Sequence, residues 1–159
     1  MPNLKLQTSR ALKVIPSNRT NIPMPRAITS GTATATLANK LVDATKDFIA
    51  LGVQVGDIVY NTTTPNASMV TKVDSATVLS LNANFLTIGD KYTLYSGTNF
   101  SGSIEPCVLY AGAPGNIEVV TAGGDTVIFN GLQAGTFIPV HVIKVIPDFT
   151  TVTDIIALW

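Results

Sequence analysis

The residues best suited to catalysis are few in this sequence. The chain of 159 residues has one histidine, His141, and one cysteine, Cys107. Covalent catalysis needs a nucleophile and a base within hydrogen-bond reach, and His141 could serve Cys107 or a serine in this way. However, His141 lies in an apolar run, 139–146, that predicts a central strand. Cys107 begins another apolar run, which favours a small core residue. The sequence therefore predicts that the chain is not an enzyme.

The carboxylates occupy turn positions instead of forming a ligand cluster. Asp57, Asp90 and Asp125 each follow a glycine, a place where aspartate commonly bonds its own backbone. No short loop gathers the acidic ligands of calcium, and one histidine with one cysteine makes no zinc pattern. The glycine-containing segments 111–115 and 122–124 lack the lysine of a phosphate-binding loop. We expect no metal and no cofactor.

The composition predicts an all-β fold. Sixteen Val, 14 Ile and 21 Thr make 51 of the 159 residues β-branched, and such side chains are stiff and suit pleated surfaces. Only two glutamates are present, although long helical surfaces draw heavily on glutamate. Glycine and proline separate short apolar runs, as is typical of barrels and sandwiches.

Three segments are expected along the chain. Residues 1–31 contain four prolines and predict an extended arm, or alternatively a strand of the domain's own sheet with a frayed terminus. Residues 32–97 predict a small β-barrel-like module with a polar hairpin tip at 61–68. Residues 98–103 form a junction. Residues 104–159 predict an antiparallel, β-sandwich-like unit that pairs with part of the arm.

The charge distribution indicates a protein partner for the arm. Only 13% of the residues are charged, and the formal net charge is zero. The first 26 residues nevertheless carry five basic residues and no acid, so an acidic partner surface is expected. The arm has no aromatic residue for base stacking, which argues against nucleic acid. The residues predicted to bind the partner are Lys5, Arg10, Lys13, Arg19 and Arg26.

Two stretches resemble virion proteins of tailed phages. The segments 109–112, 115–119, 121–127, 134–136, 139–140 and 153–159, which include Ala-Gly-Gly-Asp-Thr-Val and Ile-Ala-Leu-Trp, are similar to the C-terminal part of head-spike base proteins of phage-like gene transfer agents and related phages. The segment 14–23 is similar to the start of the same group. About 80 residues separate the two matches here, and they represent an inserted module. Its segment 47–61 resembles a module of uncharacterised phage structural proteins.

This resemblance, together with the low charge and the arm, implies a capsid decoration or cement protein. We expect an oligomer, most readily a homotrimer, that binds the major capsid protein or other virion proteins. The alternative is a vertex spike-base, neck or tail adaptor component. Carbohydrate binding at the tip 61–68 is a weaker alternative, because Tyr60 is the only aromatic residue nearby. No signal peptide, membrane span or disulfide is expected, so we expect the chain to be made in the host cytoplasm. The resemblance implies that it then resides on the capsid surface.

Overall fold

The computed structural model describes residues 8–159, and within this range the chain forms strands, turns and loops but no helix. The all-β prediction is confirmed. Within these residues, no helix is long and apolar enough to cross a membrane. The strands are β1 (Ala11–Lys13), β2 (Ala27–Thr32), β3 (Lys40–Val42), β4 (Ile58–Asn61), β5 (Asn66–Ser75), β6 (Val78–Leu81), β7 (Lys91–Tyr95), β8 (Cys107–Ala111), β9 (Gly115–Thr121), β10 (Thr126–Leu132), β11 (Thr136–Ile146) and β12 (Ile156–Leu158).

The chain folds as two compact units. Of the described residues, 8–14 and 106–159 form unit 1, and 15–105 form unit 2. Residues 8–31, the described part of the segment for which an extended arm or a strand of the domain's own sheet was expected, are therefore divided between the two units. Residues 11–13 pair as β1 with β12 of unit 1, and residues 27–32 pair as β2 with β7 of unit 2. Backbone groups of both segments find ladder partners in these sheets, which satisfies hydrogen bonds that a solvated arm would leave to water.

Unit 2 is one antiparallel sheet in the order β2-β7-β4-β5-β6-β3. A bridge between Ala35 and Val42 joins the chain after β2 to β3 at the other end of the order, so the sheet curls into a half-barrel. Strand β5 makes this bend possible, because its register with β6 shifts twice. Alternating residues such as Tyr92 and Leu94 point inward and pack with Phe48 in a core buried inside the curl.

Unit 1 is one antiparallel sheet in the order β1-β12-β8-β11-β9-β10. It is continuous, instead of the two packed sheets of a sandwich, because β11 is shared. The first residues of β11 pair with β8 and the last with β9, and register shifts on both sides of Val142 bend the strand between them. One face is apolar and buried, with Leu109, Ile117 and Val119 at its centre.

Candidate interaction site

The basic residues predicted to bind a partner do not belong to a single segment of the structure. Lys5 lies outside the described residues. Arg10 and Lys13 are exposed on unit 1, whereas Arg19 and Arg26 are exposed on unit 2. The four described side chains therefore divide two and two between the units.

On unit 1, Lys13 forms an ion pair with Asp154. Its Nζ lies 2.7 Å from Asp154 Oδ1, and the two side chains are 69% and 65% exposed. An ion pair so open to water contributes little to stability. Arg10 holds the chain end by its backbone, since its carbonyl accepts a hydrogen bond from Trp159 N and its amide donates one to Trp159 O. Lys13 thus has an acidic partner within its own chain.

On unit 2, Arg26 is paired with an aromatic side chain. The Arg26 guanidinium carbon lies 4.5 Å from the centre of the Phe100 ring, a cation–π contact. Phe100 is 83% exposed, and Leu51 beside it is exposed as well. Together with Gln54 and Asp57 they line an open groove of about 360 Å³. We call the surface formed by Arg26, Leu51 and Phe100 the Arg26 groove.

The floor of the Arg26 groove is held by a buried carboxylate. Asp57 accepts hydrogen bonds from Gln54 N at 2.8 Å and from Gly97 N at 3.1 Å, which ties the turn before β4 to the segment after β7. Gly97 approaches Gly56 O so closely that any Cβ would collide with that oxygen. The chain before β2 joins this frame, because Ser96 N donates to Arg26 O. Arg26 therefore projects from a fixed backbone, and Phe100 lies in a turn held by Asn99, whose amide donates to Ser103 O and whose Oδ1 accepts from Ser101 N.

This groove combines features that favour protein recognition. Exposed aromatic and arginine side chains are enriched at protein interfaces, and apolar groups with a rigid backbone lose little conformational entropy on binding. The Arg26 guanidinium can donate hydrogen bonds to a carboxylate or to backbone carbonyls while its face stays on the ring. The arrangement can therefore bind a partner surface.

A second polar cluster in unit 2 is buried and structural. Asp43 is fully buried, and it accepts hydrogen bonds from Thr45 and from the hydroxyl of Tyr92. Burial alone would raise the pKa of Asp43, but the hydrogen bonds from Thr45 and Tyr92 and the charge of Lys46 outweigh it and lower the pKa. Burial and the neighbouring carboxylate raise the pKa of Tyr92. The pair fixes the turn after β3 against β7.

The catalytic candidates of unit 1 lie on opposite faces of its sheet. Cys107 pairs with Val142, and both are buried on the same face, where the Cys107 thiol donates to Val142 O. Burial raises the pKa of Cys107 to about 12. His141 precedes Val142 and is exposed, so strand alternation directs it to the other face. His141 and Cys107 therefore cannot act as a base and nucleophile pair.

The hairpin tip between β4 and β5 is fixed from below by Asn61. Its amide oxygen accepts from Thr63 N and Thr64 N, and its amide nitrogen donates to Phe85 O and Asp90 Oδ2. Tyr60, the aromatic residue nearest the tip, is buried. Its ring is therefore unavailable for stacking on a sugar.

Phe100 and Leu51 line the Arg26 groove, but neither was among the site residues predicted from the sequence. Phe100 is the only aromatic residue within the polar segment 98–103, and this isolated position was the available signal. Leu51 belongs to an apolar stretch that gives no indication of which members stay exposed. Leu51 and Phe100 are far apart in sequence, and only the tertiary structure of unit 2 brings them to the same groove.

Among residues 8–159, no group of three or more His, Cys, Asp or Glu side chains is arranged to hold a metal ion. Comparison of the chain with models of protein families, with curated proteins and with solved structures gives no match.

Proposed function

We propose that the chain is a non-enzymatic structural protein of a tailed-phage virion, a capsid decoration or cement protein that binds the major capsid lattice as an oligomer. The observation that carries the proposal is the Arg26 groove, an exposed aromatic ring capped by arginine on a rigid backbone. The resemblance of the segments 109–159 and 14–23 to phage head proteins gives the proposal its setting. The low content of charged residues, 13%, also suits a surface that neighbours cover.

In this proposal, Phe100 and Leu51 pack against an apolar patch of a capsid subunit. Arg26 donates hydrogen bonds to a carboxylate or to carbonyl groups at the rim of that patch. Aromatic and arginine anchors commonly dominate the energy of an interface, with losses of about 2 kcal/mol or more on truncation. Many such contacts over a lattice would hold the protein firmly even if each is modest.

Binding to capsid particles that lack the protein tests the groove. We expect Arg26→Ala and Phe100→Ala each to weaken binding at least about tenfold, as measured by co-sedimentation with the particles. Arg19→Ala removes the same charge from an exposed site of the same unit and serves as the matched control. Equal losses of binding from Arg19→Ala and Arg26→Ala would indicate general electrostatic attraction. That result would contradict the assignment of the Arg26 groove as the binding site.

The copy number in purified virions, measured by quantitative mass spectrometry, tests the role itself. Copies comparable in number to the major capsid protein support a decoration or cement role. A few copies per particle favour the alternative, a vertex spike-base or a neck or tail adaptor. Absence of the chain from the particles would refute a virion role.

A further inference from the structure

The outer edge of unit 1 carries an exposed, uncharged strand. Strand β10 is the last in its sheet order, and among residues 8–159 no strand pairs with its other side. Val127 and Ile128 are each 38% exposed. The stretch from Thr126 to Gly135 contains no charged residue and no proline. Natural sheets usually protect such edges with lysine, proline or a covering segment, and this edge has none of these within Thr126–Leu132.

The ladder between β9 and β10 fixes which backbone groups of β10 point outward. Thr121 N donates to Asp125 O at the turn, so this pair is hydrogen-bonded. Pairs alternate between hydrogen-bonded and non-hydrogen-bonded along an antiparallel ladder. Thr126 and Ile128 pair with Val120 and Glu118 in the register, and alternation makes both of these pairs non-hydrogen-bonded. The amide and carbonyl groups of Thr126 and Ile128 are therefore directed away from β9.

The order of residues in β10 is complementary to itself in the antiparallel direction. If two copies meet with Ile128 on a two-fold axis, Val127 lies opposite Phe129 of the second copy and Thr126 lies opposite Asn130. Apolar residues then face apolar residues, polar residues face polar residues, and no like charges meet. The outward backbone groups of Ile128 would bond to those of its counterpart. Between Phe129 and Leu132 the register shifts, which limits the pairing to about five residues.

We propose that β10 pairs with β10 of a second copy of this chain, with Ile128 at the two-fold axis, and joins two unit 1 sheets into one of twelve strands. This contact is isologous and forms dimers, so it differs from the homotrimer expected from the sequence. Stable interfaces bury about 1,000 Å² or more. A five-residue strand pair buries less, so we expect a dissociation constant between about 1 μM and about 1 mM. The inference does not depend on the virion role.

Sedimentation of the full chain from about 5 μM to about 1 mM measures the association. We expect a reversible monomer–dimer equilibrium that Ile128→Lys weakens at least about tenfold, because two lysines would meet on the axis. Within one chain the introduced lysine would lie opposite Glu118, whose Oε2 is buried with no hydrogen-bond partner among the described residues. The substitution should therefore leave the fold intact. Ala11→Lys, at an exposed position on β1 at the other sheet edge, is the control and should dimerise normally.

Cysteine cross-linking tests the register even if Ile128→Lys fails to fold. Opposed Cα atoms of a hydrogen-bonded pair lie about 5.5 Å apart, within the range of a disulfide, so Ile128→Cys should form a cross-linked dimer under oxidation. Thr126→Cys should not, because the two copies of residue 126 would be about 13 Å apart along the strands. The native Cys107 is buried and should not interfere.

Three outcomes would overturn this proposal. The first is a chain that stays monomeric throughout the concentration range, and the second is an oligomer that Ile128→Lys leaves unchanged. The third is equal cross-linking of Ile128→Cys and Thr126→Cys. A monomeric chain whose binding to particles is lost in Ile128→Lys would identify a strand of another protein as the occupant instead.

Discussion

The hydroxyl of Tyr92 on β7 donates a 2.8 Å hydrogen bond to the carboxylate of Asp43, and both residues are buried inside unit 2. Gly31 on β2 lies directly against this pair, since a Cβ at Gly31 would meet Asp43 Oδ2 and the Tyr92 hydroxyl. The hydrogen bond therefore links the turn after β3 to β7, and β2 packs closely over it. Because a buried carboxylate is costly when it loses a donor, we expect this hydrogen bond to contribute to the stability of unit 2.

Tyr92→Phe should lower the free energy of unfolding of unit 2 by about 1–3 kcal/mol, because the Asp43 carboxylate loses one donor while the ring remains packed. Chemical denaturation followed by tyrosine fluorescence measures the change. Tyr110→Phe is the control, since it keeps the ring contact between Tyr110 and Phe137 and should change stability by less than about 0.5 kcal/mol. Equal effects of the two substitutions would show that the hydrogen bond from Tyr92 to Asp43 does not stabilise unit 2.

Stability should fall when the pH drops below about 4. The pKa of Asp43 is lowered in the folded chain from the ordinary 3.8, despite burial, mainly by hydrogen bonds from Thr45. The pKa of Asp74 is lowered by Lys40, and that of Asp90 by the Thr87 amide. The unfolded chain therefore binds more protons in this pH range. The contribution of these three carboxylates to stability is complete above pH 3.8, and it is lost as the pH falls through their pKa values in the folded chain.

Equilibrium unfolding between about pH 2 and pH 7 measures this acid limb. Asp43→Asn should be less stable than the parent at pH 7 and should lose less on acidification, because one of the responsible carboxylates is gone. A parent protein that becomes more stable below pH 4 would contradict the assignment of these lowered pKa values.

Gly97→Ala should disrupt the frame of the Arg26 groove. The added Cβ would collide with the backbone oxygen of Gly56, and backbone atoms cannot move aside as a flexible side chain can. We expect a loss of about 2–4 kcal/mol in stability, measured by thermal unfolding. Gly124→Ala is a useful comparison, because nothing lies near a Cβ there and only the φ of 93° opposes alanine. A smaller loss at 97 than at 124 would contradict the close approach.

The backbone of Asp154 should matter more than its charge. Asp154 has a φ of 53°, a conformation that asparagine tolerates and β-branched residues avoid. Asp154→Asn breaks the exposed ion pair with Lys13 and should cost less than about 1 kcal/mol. Asp154→Val should cost more, by about 1–3 kcal/mol, since it strains the backbone before β12. Thermal unfolding of both variants and of Lys13→Ala separates the contribution of the ion pair from that of the backbone conformation. A larger loss of stability from Asp154→Asn than from Asp154→Val would contradict this prediction.

Local residue preferences were sufficient to predict the fold class and several strands of this protein. Its β-branched residues and turn glycines predicted an all-β chain, and the apolar run 139–146 predicted an interior strand. The aspartates after glycine at 57 and 90 do bond nearby backbone groups, as turn chemistry requires. These features depend on residues close in sequence, where steric and hydrogen-bonding preferences act directly.

The tertiary structure decided which distant segments meet. Residues 11–13 and 27–32 carry similar short strand signals, yet they join different sheets. Arg26 and Phe100 are 74 positions apart, and only the pairing of β2 with β7 brings them together. His141 and Cys107 were a possible catalytic pair in sequence, and the face each takes depends on the register of β11 with β8. Register and strand order arise from long-range packing, which local preferences do not encode.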